Sequence, residues 1–441
     1  MARAFHIETY GCQMNVLDSD LVGGILKRAG YVQAEVLESA DVIFLNTCAV
    51  REGAENRVLH RLESIHGDLR RRRPDVVLGL LGCVAQAHGE ELVARAPYVD
   101  LVVGTDRYSD LPDLLEEQRR RRAPLVEISP DPAVNYEGEP RLGPGGVTGF
   151  VAVMRGCDMG CTFCIVPQTR GEERSLRPVD VVREVQWLAG LGVREVTLLG
   201  QKVNAWKWED ARFPDLLRMV AGLEGIDRVR FTSPHPLWVT RGLGQVMADV
   251  AEVCPSVHMP LQSGSDGVLE RMKRGYTADR FRRGIASLRA SVGDVGVTTD
   301  VIVGFPGETE EDHRDTLEIM AELRFDSAFM FAFSPRPGTE AAAMGDQVPD
   351  EVKARRLREV IDQQESVTRQ IMAEQVGRKA RVLLERTSRK REDELFGRSP
   401  ENRSVVVPGD ASLVGQVVEV EIVEAHAHTL RARRVSEALV C

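Results

Sequence analysis

Three cysteines, Cys157, Cys161 and Cys164, stand in one short run with three and then two residues between them. Three thiolates on one loop can each ligate one iron of a 4Fe–4S cube and leave the fourth iron without a protein ligand. An iron open to an added ligand is a place for chemistry. Zinc is a poorer match, because a structural zinc site closes around four ligands and the fourth would have to come from elsewhere. A second set of three is spread more widely: Cys12 after Thr9-Tyr10-Gly11, Cys48 after Leu45-Asn46-Thr47, and Cys83 after Leu80-Leu81-Gly82. Each follows its own apolar β-type run by one step.

These runs belong to an alternation of strand-like and helical segments. Strands are predicted at residues 5–10, 42–46, 76–81 and 101–103, with amphipathic stretches between them, the pattern of parallel βαβ units. Ligands of such sheets lie beyond the carboxyl ends of the strands. A parallel sheet therefore brings together cysteines that are 35 or more positions apart. Residues 123–146, rich in proline and glycine, read as a linker. From residue 147 the alternation resumes six times, with strands expected at 150–154, 195–199, 228–232, 257–261, 297–303 and 328–333. Six such units curl into a partial (β/α)-barrel whose active face is the strand carboxyl end, and the run from Cys157 to Cys164 follows its first strand. A helix over 350–375 carries Leu357, Val360, Ile361, Val367 and Ile371 as one apolar stripe. The remaining residues, 376–441, show short β-runs at 380–384, 404–407, 417–422 and 429–434, the pattern of a small antiparallel β-barrel of a kind that often binds RNA.

The 441 residues suit about three domains. No apolar stretch approaches a membrane span and the start is not a signal peptide, so a cytoplasmic location is expected. Eight cysteines without a secretion signal favour metal ligation over disulfides. The net charge of −10 excludes a global polycation. Positive charge is local, in Arg70–Arg73 and Arg119–Arg122, and in residues 376–441, where 12 Lys/Arg face 10 Asp/Glu. That permits RNA contact without requiring it, and both arginine runs also suit solvated helix ends.

The Cys157–Cys164 run, with Phe163 before its third cysteine, resembles the radical S-adenosylmethionine superfamily signature. With Gly11-Cys12-Gln13-Met14-Asn15, Asn46-Thr47-Cys48-Ala49-Val50-Arg51-Glu52 and Gly82-Cys83 ahead of it, the chain is similar to the methylthiotransferases. Within them it is most like the branch acting on isopentenyl-adenosine beside the tRNA anticodon. Thr169-Arg170-Gly171 and the stretches 258–266, 300–309 and 334–339 carry the same likeness, and the last barrel resembles a TRAM domain. Two departures are Lys202, where an asparagine is usual, and Leu176, where an arginine is common.

The resemblance implies an N-terminal parallel α/β domain over 1–122, a radical S-adenosylmethionine partial barrel with its connecting helix over 147–375, and an RNA-binding TRAM barrel over 376–441. It implies two 4Fe–4S clusters, one on Cys157, Cys161 and Cys164 that splits S-adenosylmethionine, and one on Cys12, Cys48 and Cys83 that handles sulfur. The reaction it implies places a methylthio group on carbon 2 of the adenine by a 5′-deoxyadenosyl radical, with two S-adenosylmethionine molecules consumed. That C–H bond is not acidic, so the cofactor must supply the radical. Candidate cofactor contacts are Phe163, Gly200, Gln201, Gln262, Ser263, Ile302 and Gly304. Arg170 is a candidate bidentate partner of a carboxylate or phosphate, or else a surface ion pair. Implied partners are tRNA, an electron donor such as flavodoxin or ferredoxin, and a sulfur donor, with no membrane and a monomeric chain.

The rival activities are methylthiolation of threonylcarbamoyl-adenosine in tRNA or of a ribosomal-protein aspartate. A more distant one is a non-catalytic Fe–S RNA-binding protein. Cys254 reads as a buried thiol, and Cys441 as a terminal residue without partners. His426 and His428 lack further ligands nearby, and a radical mechanism has little use for Asp300 and Glu308 as acids.

Overall fold

Apolar residues in the first third of the chain come in unbroken runs, as strands buried on both faces require. In the computed structural model, which describes residues 2–49 and 52–435, they form β1 (Ala4–Tyr10), β2 (Val32–Gln33), β3 (Val42–Thr47), β4 (Val77–Gly82), β5 (Leu101–Val103) and β6 (Leu125–Glu127). The sheet order is β2-β1-β3-β4-β5-β6, and every pair is parallel. Successive side chains alternate between two cores. Ile43, Leu45, Leu78 and Leu80 pack on one side, and Val42, Phe44, Val77 and Leu81 on the other. The strand order reverses between β1 and β3, and such a reversal opens a crevice at the carboxyl ends. Cys12 and Cys48 follow those two strands, and Cys83 follows the next.

Residues 123–146 do not form the expected linker throughout. They contribute β6, in register with β5, and Tyr136, which is buried in the second of these cores. The proline and glycine content marks turns around a short edge strand, where proline is tolerated.

Two compact units make up the chain. The first holds Met1–Gly143, Met154–Gly160 and Cys164–Leu176; the second holds Pro144–Val153, Cys161–Phe163 and Arg177–Cys441. Strand β7 (Thr148–Ala152) opens the second unit, while the ribbon of β8 (Met154–Arg155) and β9 (Arg174–Ser175) belongs to the first. The second unit continues with β10 (Glu195–Leu199), a ribbon of β11 (Lys207–Trp208) and β12 (Ala211–Arg212), β13 (Arg228–Phe231), β14 (Ser256–His258), β15 (Gly296–Val303) and β16 (Ser327–Ala332). The six barrel strands form two parallel three-stranded sheets, β13-β10-β7 and β14-β15-β16. A parallel bridge from Val229 to Val253, just before β14, links them. This is the partial barrel expected from the sequence.

Helix Asp350–Ala373 buries Val360, Val367 and Ile371, together with Lys353, Arg356 and Gln364. Leu357 and Ile361 are only half-buried, so the stripe is more polar than its apolar residues suggest. The closing barrel holds β17 (Lys379–Thr387), β18 (Glu394–Arg398), β19 (Ser404–Pro408), β20 (Val417–Ala425) and β21 (Leu430–Arg434). It is closed in the order β17-β18-β19-β21-β20, and one pair, β19 with β21, is parallel where all were expected antiparallel. Its interior takes Val382, Leu384, Leu395, Val405, Val407, Val420 and Ile422.

Four guanidinium–carbonyl bonds fasten this barrel to β13. Arg228 donates to the carbonyls of Arg398 and Arg381, each at 2.7 Å. Arg230 donates to those of Pro400 and Ser399, each at 2.8 Å, and pairs with Glu195 at 2.9 Å. No helix among the described residues is long and apolar enough to cross a membrane. Val50, Arg51 and Cys441 lie outside the described residues.

Candidate functional site

Cys12 begins the crevice of the first unit as the residue preceding helix Gln13–Arg28. Asn15 fixes that entry. Its Oδ1 accepts from the Cys12 backbone N–H at 3.2 Å and from the thiol at 3.3 Å. Its Nδ2 donates to Asn46 Oδ1 at 3.1 Å and to the Thr47 carbonyl at 3.2 Å. One buried amide thus ties the end of β1 to the end of β3, across the point where strand order reverses. Cys48 follows directly and its N–H bonds the Tyr10 carbonyl at 3.1 Å. Cys83 starts helix Cys83–Arg95 immediately after Gly82, whose φ of +90° suits glycine. A Cβ there would sit 2.3 Å from Asn46 Oδ1.

Cys12, Cys48 and Cys83 form no disulfide, and Cys48 and Cys83 are buried. The Cys12 thiol is hydrogen-bonded with Cys48, and chiefly for that reason its pKa is lowered to about 6, against the opposing effect of burial; the Arg170 cation lowers it further. Burial pushes Cys83 up, and Arg170 again opposes. Burial alone would lower the pKa of Arg170, but Asp18, Cys83 and Cys12 together raise it well above its usual value. Arg170 is therefore neither on the surface nor among the barrel residues. It is buried in the first unit, with Nη2 on Asp18 Oδ2 at 2.7 Å. Asp18 is fully buried and also faces Arg155 Nη1 at 3.4 Å and the Tyr108 hydroxyl at 3.5 Å. Arg155 rests over the Tyr136 ring, 4.9 Å from its centroid. The sequence pointed to none of Asp18, Arg155, Tyr108 or Tyr136 as part of this site.

Among the described residues, no three His, Cys, Asp or Glu side chains form a site for a single metal ion. A cube makes a different demand, one thiolate on each of three irons. Three soft sulfur donors beside a buried cation suit an anionic thiolate cluster.

Of the second triad, Cys157 and Cys164 are half-buried and belong to the first unit, and the Cys157 N–H bonds the Gly171 carbonyl at 3.0 Å. Cys161 belongs to the second unit and is buried; its sulfur accepts from Arg274 Nη1 at 3.3 Å. Arg274 is held in turn by the Tyr276 hydroxyl at 3.2 Å, which donates to the Leu261 carbonyl at 2.8 Å. Against the lowering effect of burial, Tyr276 and Cys161 raise the pKa of Arg274. Arg274 was not foreseen, because its partner is 113 residues away.

The expected cofactor contacts fall at the carboxyl ends of the barrel strands. Gly200 and Gln201 follow β10, and Gln201 Oε1 is buried with no hydrogen-bond partner among the described residues. Gln262 has φ +69°, rare for a residue with a side chain, and its Oε1 is likewise buried and unpartnered. Two orphaned carbonyls at a barrel rim suit a ligand with N–H or O–H donors. Ser263 does not present its hydroxyl: it is fully buried, 3.3 Å from Thr316 Oγ1, and accepts from the Ser265 N–H at 3.2 Å. The Gly304 N–H is taken by Glu308 Oε1 at 2.8 Å, and Glu308 pairs with Arg356 at the same distance. Phe163 and Ile302 share one apolar cluster with Met272, Phe305 and Phe333, and the Phe163 and Phe305 rings meet edge to face at 6.4 Å. Lys202 is buried with its ammonium 5.1 Å over the Trp238 ring. Leu176 is buried. Cys254 is a buried thiol whose pKa burial pushes up to about 11.

Three family profiles match the chain: Uncharacterized protein family UPF0004 at residues 4–104, the Radical SAM superfamily at 151–320 and the TRAM domain at 373–435. Over 442 residues the chain is 42% identical to the tRNA-2-methylthio-N(6)-dimethylallyladenosine synthase of Cronobacter sakazakii, covering 98% of this chain and 92% of that protein. The synthases of Salmonella enteritidis and Escherichia coli give the same identity and coverage. Among solved structures, the radical S-adenosylmethionine methyltransferase TsrM from Kitasatospora setae, with cobalamin and a 4Fe–4S cluster bound, superposes with a TM-score of 0.57 at 16% identity, over 78% of this chain and 77% of that one. The cobalamin-dependent S-adenosylmethionine radical enzyme OxsB gives a TM-score of 0.53 at 13% identity, over 83% of this chain and 56% of that one. Likeness at that identity shows a shared fold.

Proposed function

Because the chain belongs to the tRNA-2-methylthio-N(6)-dimethylallyladenosine synthase family of radical S-adenosylmethionine enzymes, we propose that its two cysteine triads each hold a 4Fe–4S cluster. The chain is a tRNA methylthiotransferase. Cys157, Cys161 and Cys164 hold the cluster that receives S-adenosylmethionine, and Cys12, Cys48 and Cys83 hold the second. When bound, these groups supply the electron, the carbon radical and the sulfur that acid–base residues cannot.

The chain's own residues bind, orient and balance charge. Gln201 and Gln262 offer their unpartnered carbonyl oxygens to the amino and hydroxyl groups of S-adenosylmethionine. Phe163 and Ile302 give its adenine an apolar border, and Gly200 and Gly304 let backbone approach. Arg274 donates to the Cys161 sulfur and orients it. Arg170 places a positive charge beside Cys12 and Cys83, and Asp18 fixes its direction. Ser263 serves by holding the turn after β14 rather than by touching ribose. The TRAM barrel, residues 376–441, binds tRNA, with the catalytic domains at 1–122 and 147–375. A low-potential electron donor of the flavodoxin or ferredoxin kind and a sulfur donor complete the reaction. A cytoplasmic monomer that consumes two S-adenosylmethionine per product fits this scheme.

The observation that carries the proposal is the placing of three cysteines after three adjacent parallel strands, two of them flanking the reversal of strand order. Anaerobic reconstitution with iron counting tests it. About eight irons per chain are expected, two cubes of four, and Cys48→Ala should leave about four. Mass spectrometry of the nucleosides should show the methylthio product only with the intact chain. Four or fewer irons in the unmodified chain, without release of 5′-deoxyadenosine, would sink it.

A further inference from the structure

Strand β16 carries two large aromatic residues in the open: Phe329 is 51% exposed and Phe331 39%. Aromatic side chains this exposed inside a barrel strand call for an explanation. The register supplies the first part. Phe329 pairs with Asp300 and Phe331 with Ile302 on β15, while His258 on β14 pairs with Thr298. Cross-strand partners point to one side of a sheet. Along β15, Val297, Thr299, Val301 and Val303 are buried, whereas Thr298, Asp300 and Ile302 are half-buried. The two phenylalanines therefore lie on the less buried side of the sheet.

That side is continuous with the cofactor residues. Ile302 packs in the cluster that includes Phe163, the residue before Cys164. At the other end, the Phe329 ring meets His258 edge to face at 5.8 Å, and His258 Nε2 is 3.2 Å from Asp300 Oδ2. The surface is thus an apolar strip of Phe329, Phe331 and Ile302, with the Asp300 carboxylate and its partner His258 at its edge.

We infer that Phe329 and Phe331 form the subsite for the dimethylallyl group of the substrate adenosine and set the preference for it over a polar N6 substituent. This rests on the function proposed above. Five apolar carbons gain by leaving water for two aromatic faces. A threonylcarbamoyl group would have to strip water from its own carboxylate there and face Asp300, both unfavourable. The strip explains how one barrel tells an apolar N6 substituent from a charged one.

The test uses the full chain, reconstituted anaerobically, with three tRNAs that differ only at the target: dimethylallylated, threonylcarbamoylated and unmodified adenosine. Their kcat/KM values and Kd values are compared. The unaltered protein should prefer the dimethylallylated tRNA over the unmodified one by tenfold or more, about the discrimination an apolar pocket gives. In the Phe329→Ala, Phe331→Ala double variant that ratio should fall about tenfold, and the paired leucine variant should restore most of it. An unchanged ratio, or an equal loss on all three tRNAs, would overturn the inference. If the alanine variant does not fold, the unaltered protein decides: no preference among the tRNAs overturns it. Failure to methylthiolate any tRNA, by contrast, refutes the underlying function and is distinguishable from these outcomes.

Discussion

Asp18 sits wholly inside the first unit with Arg170 at 2.7 Å and Arg155 at 3.4 Å. Removing its charge leaves two buried cations uncompensated, so Asp18→Asn should cost about 3–5 kcal/mol of stability, read by urea unfolding of the cluster-free chain. His235 gives a pH signature. Burial, with Arg274 and Lys202 nearby, lowers its pKa to about 3. The unfolded chain binds that proton near pH 6.5, so between these values the unfolded state holds more protons and stability falls as pH drops. At pH 5 the loss is about 2 kcal/mol relative to pH 8, and His235→Gln should flatten the profile measured by thermal unfolding. At this scale the positions of Cys12, Cys48 and Cys83 after their strands were legible, since each closes an apolar run. Asp18 and Arg274 were not: each acts through a partner more than 100 residues distant, and a lone aspartate or arginine gives no hint of burial.

Among the elements, the turn from β4 into helix Cys83–Arg95 is the most constrained. Gly82 holds φ +90°, and any Cβ would strike Asn46 and the Thr47 carbonyl. Gly82→Ala should therefore displace Cys83 and cost about 1–3 kcal/mol in backbone strain. On the proposed two-cluster reading, the expected readout is about four irons per reconstituted chain instead of eight. The long buried strands could be read in advance because their apolar runs are unbroken. The two-residue β2, the three-residue β6 and β18 could not. In β18 only Leu395 and Phe396 are apolar, after the charged run Arg389–Glu394. The engagement of the Ser263 hydroxyl was hidden for a related reason: Thr316, which it meets at 3.3 Å, lies on a helix distant in sequence.

Across the second unit as a whole, the seam between β13 and the closing barrel rests on Arg228 and Arg230, both buried. Replacing both by alanine strands four carbonyls and the Glu195 carboxylate. We expect the closing barrel to melt as a separate transition in calorimetry, with amide exchange of residues 398–403 accelerated; one unchanged cooperative transition would contradict this account. The same seam has an evolutionary corollary. The four bonds end on main-chain oxygens of Arg381, Arg398, Ser399 and Pro400, atoms that every substitution preserves. Outward residues of this module can drift freely while its mounting stays put, so a transplanted counterpart from a distant relative should seat on the same two arginines.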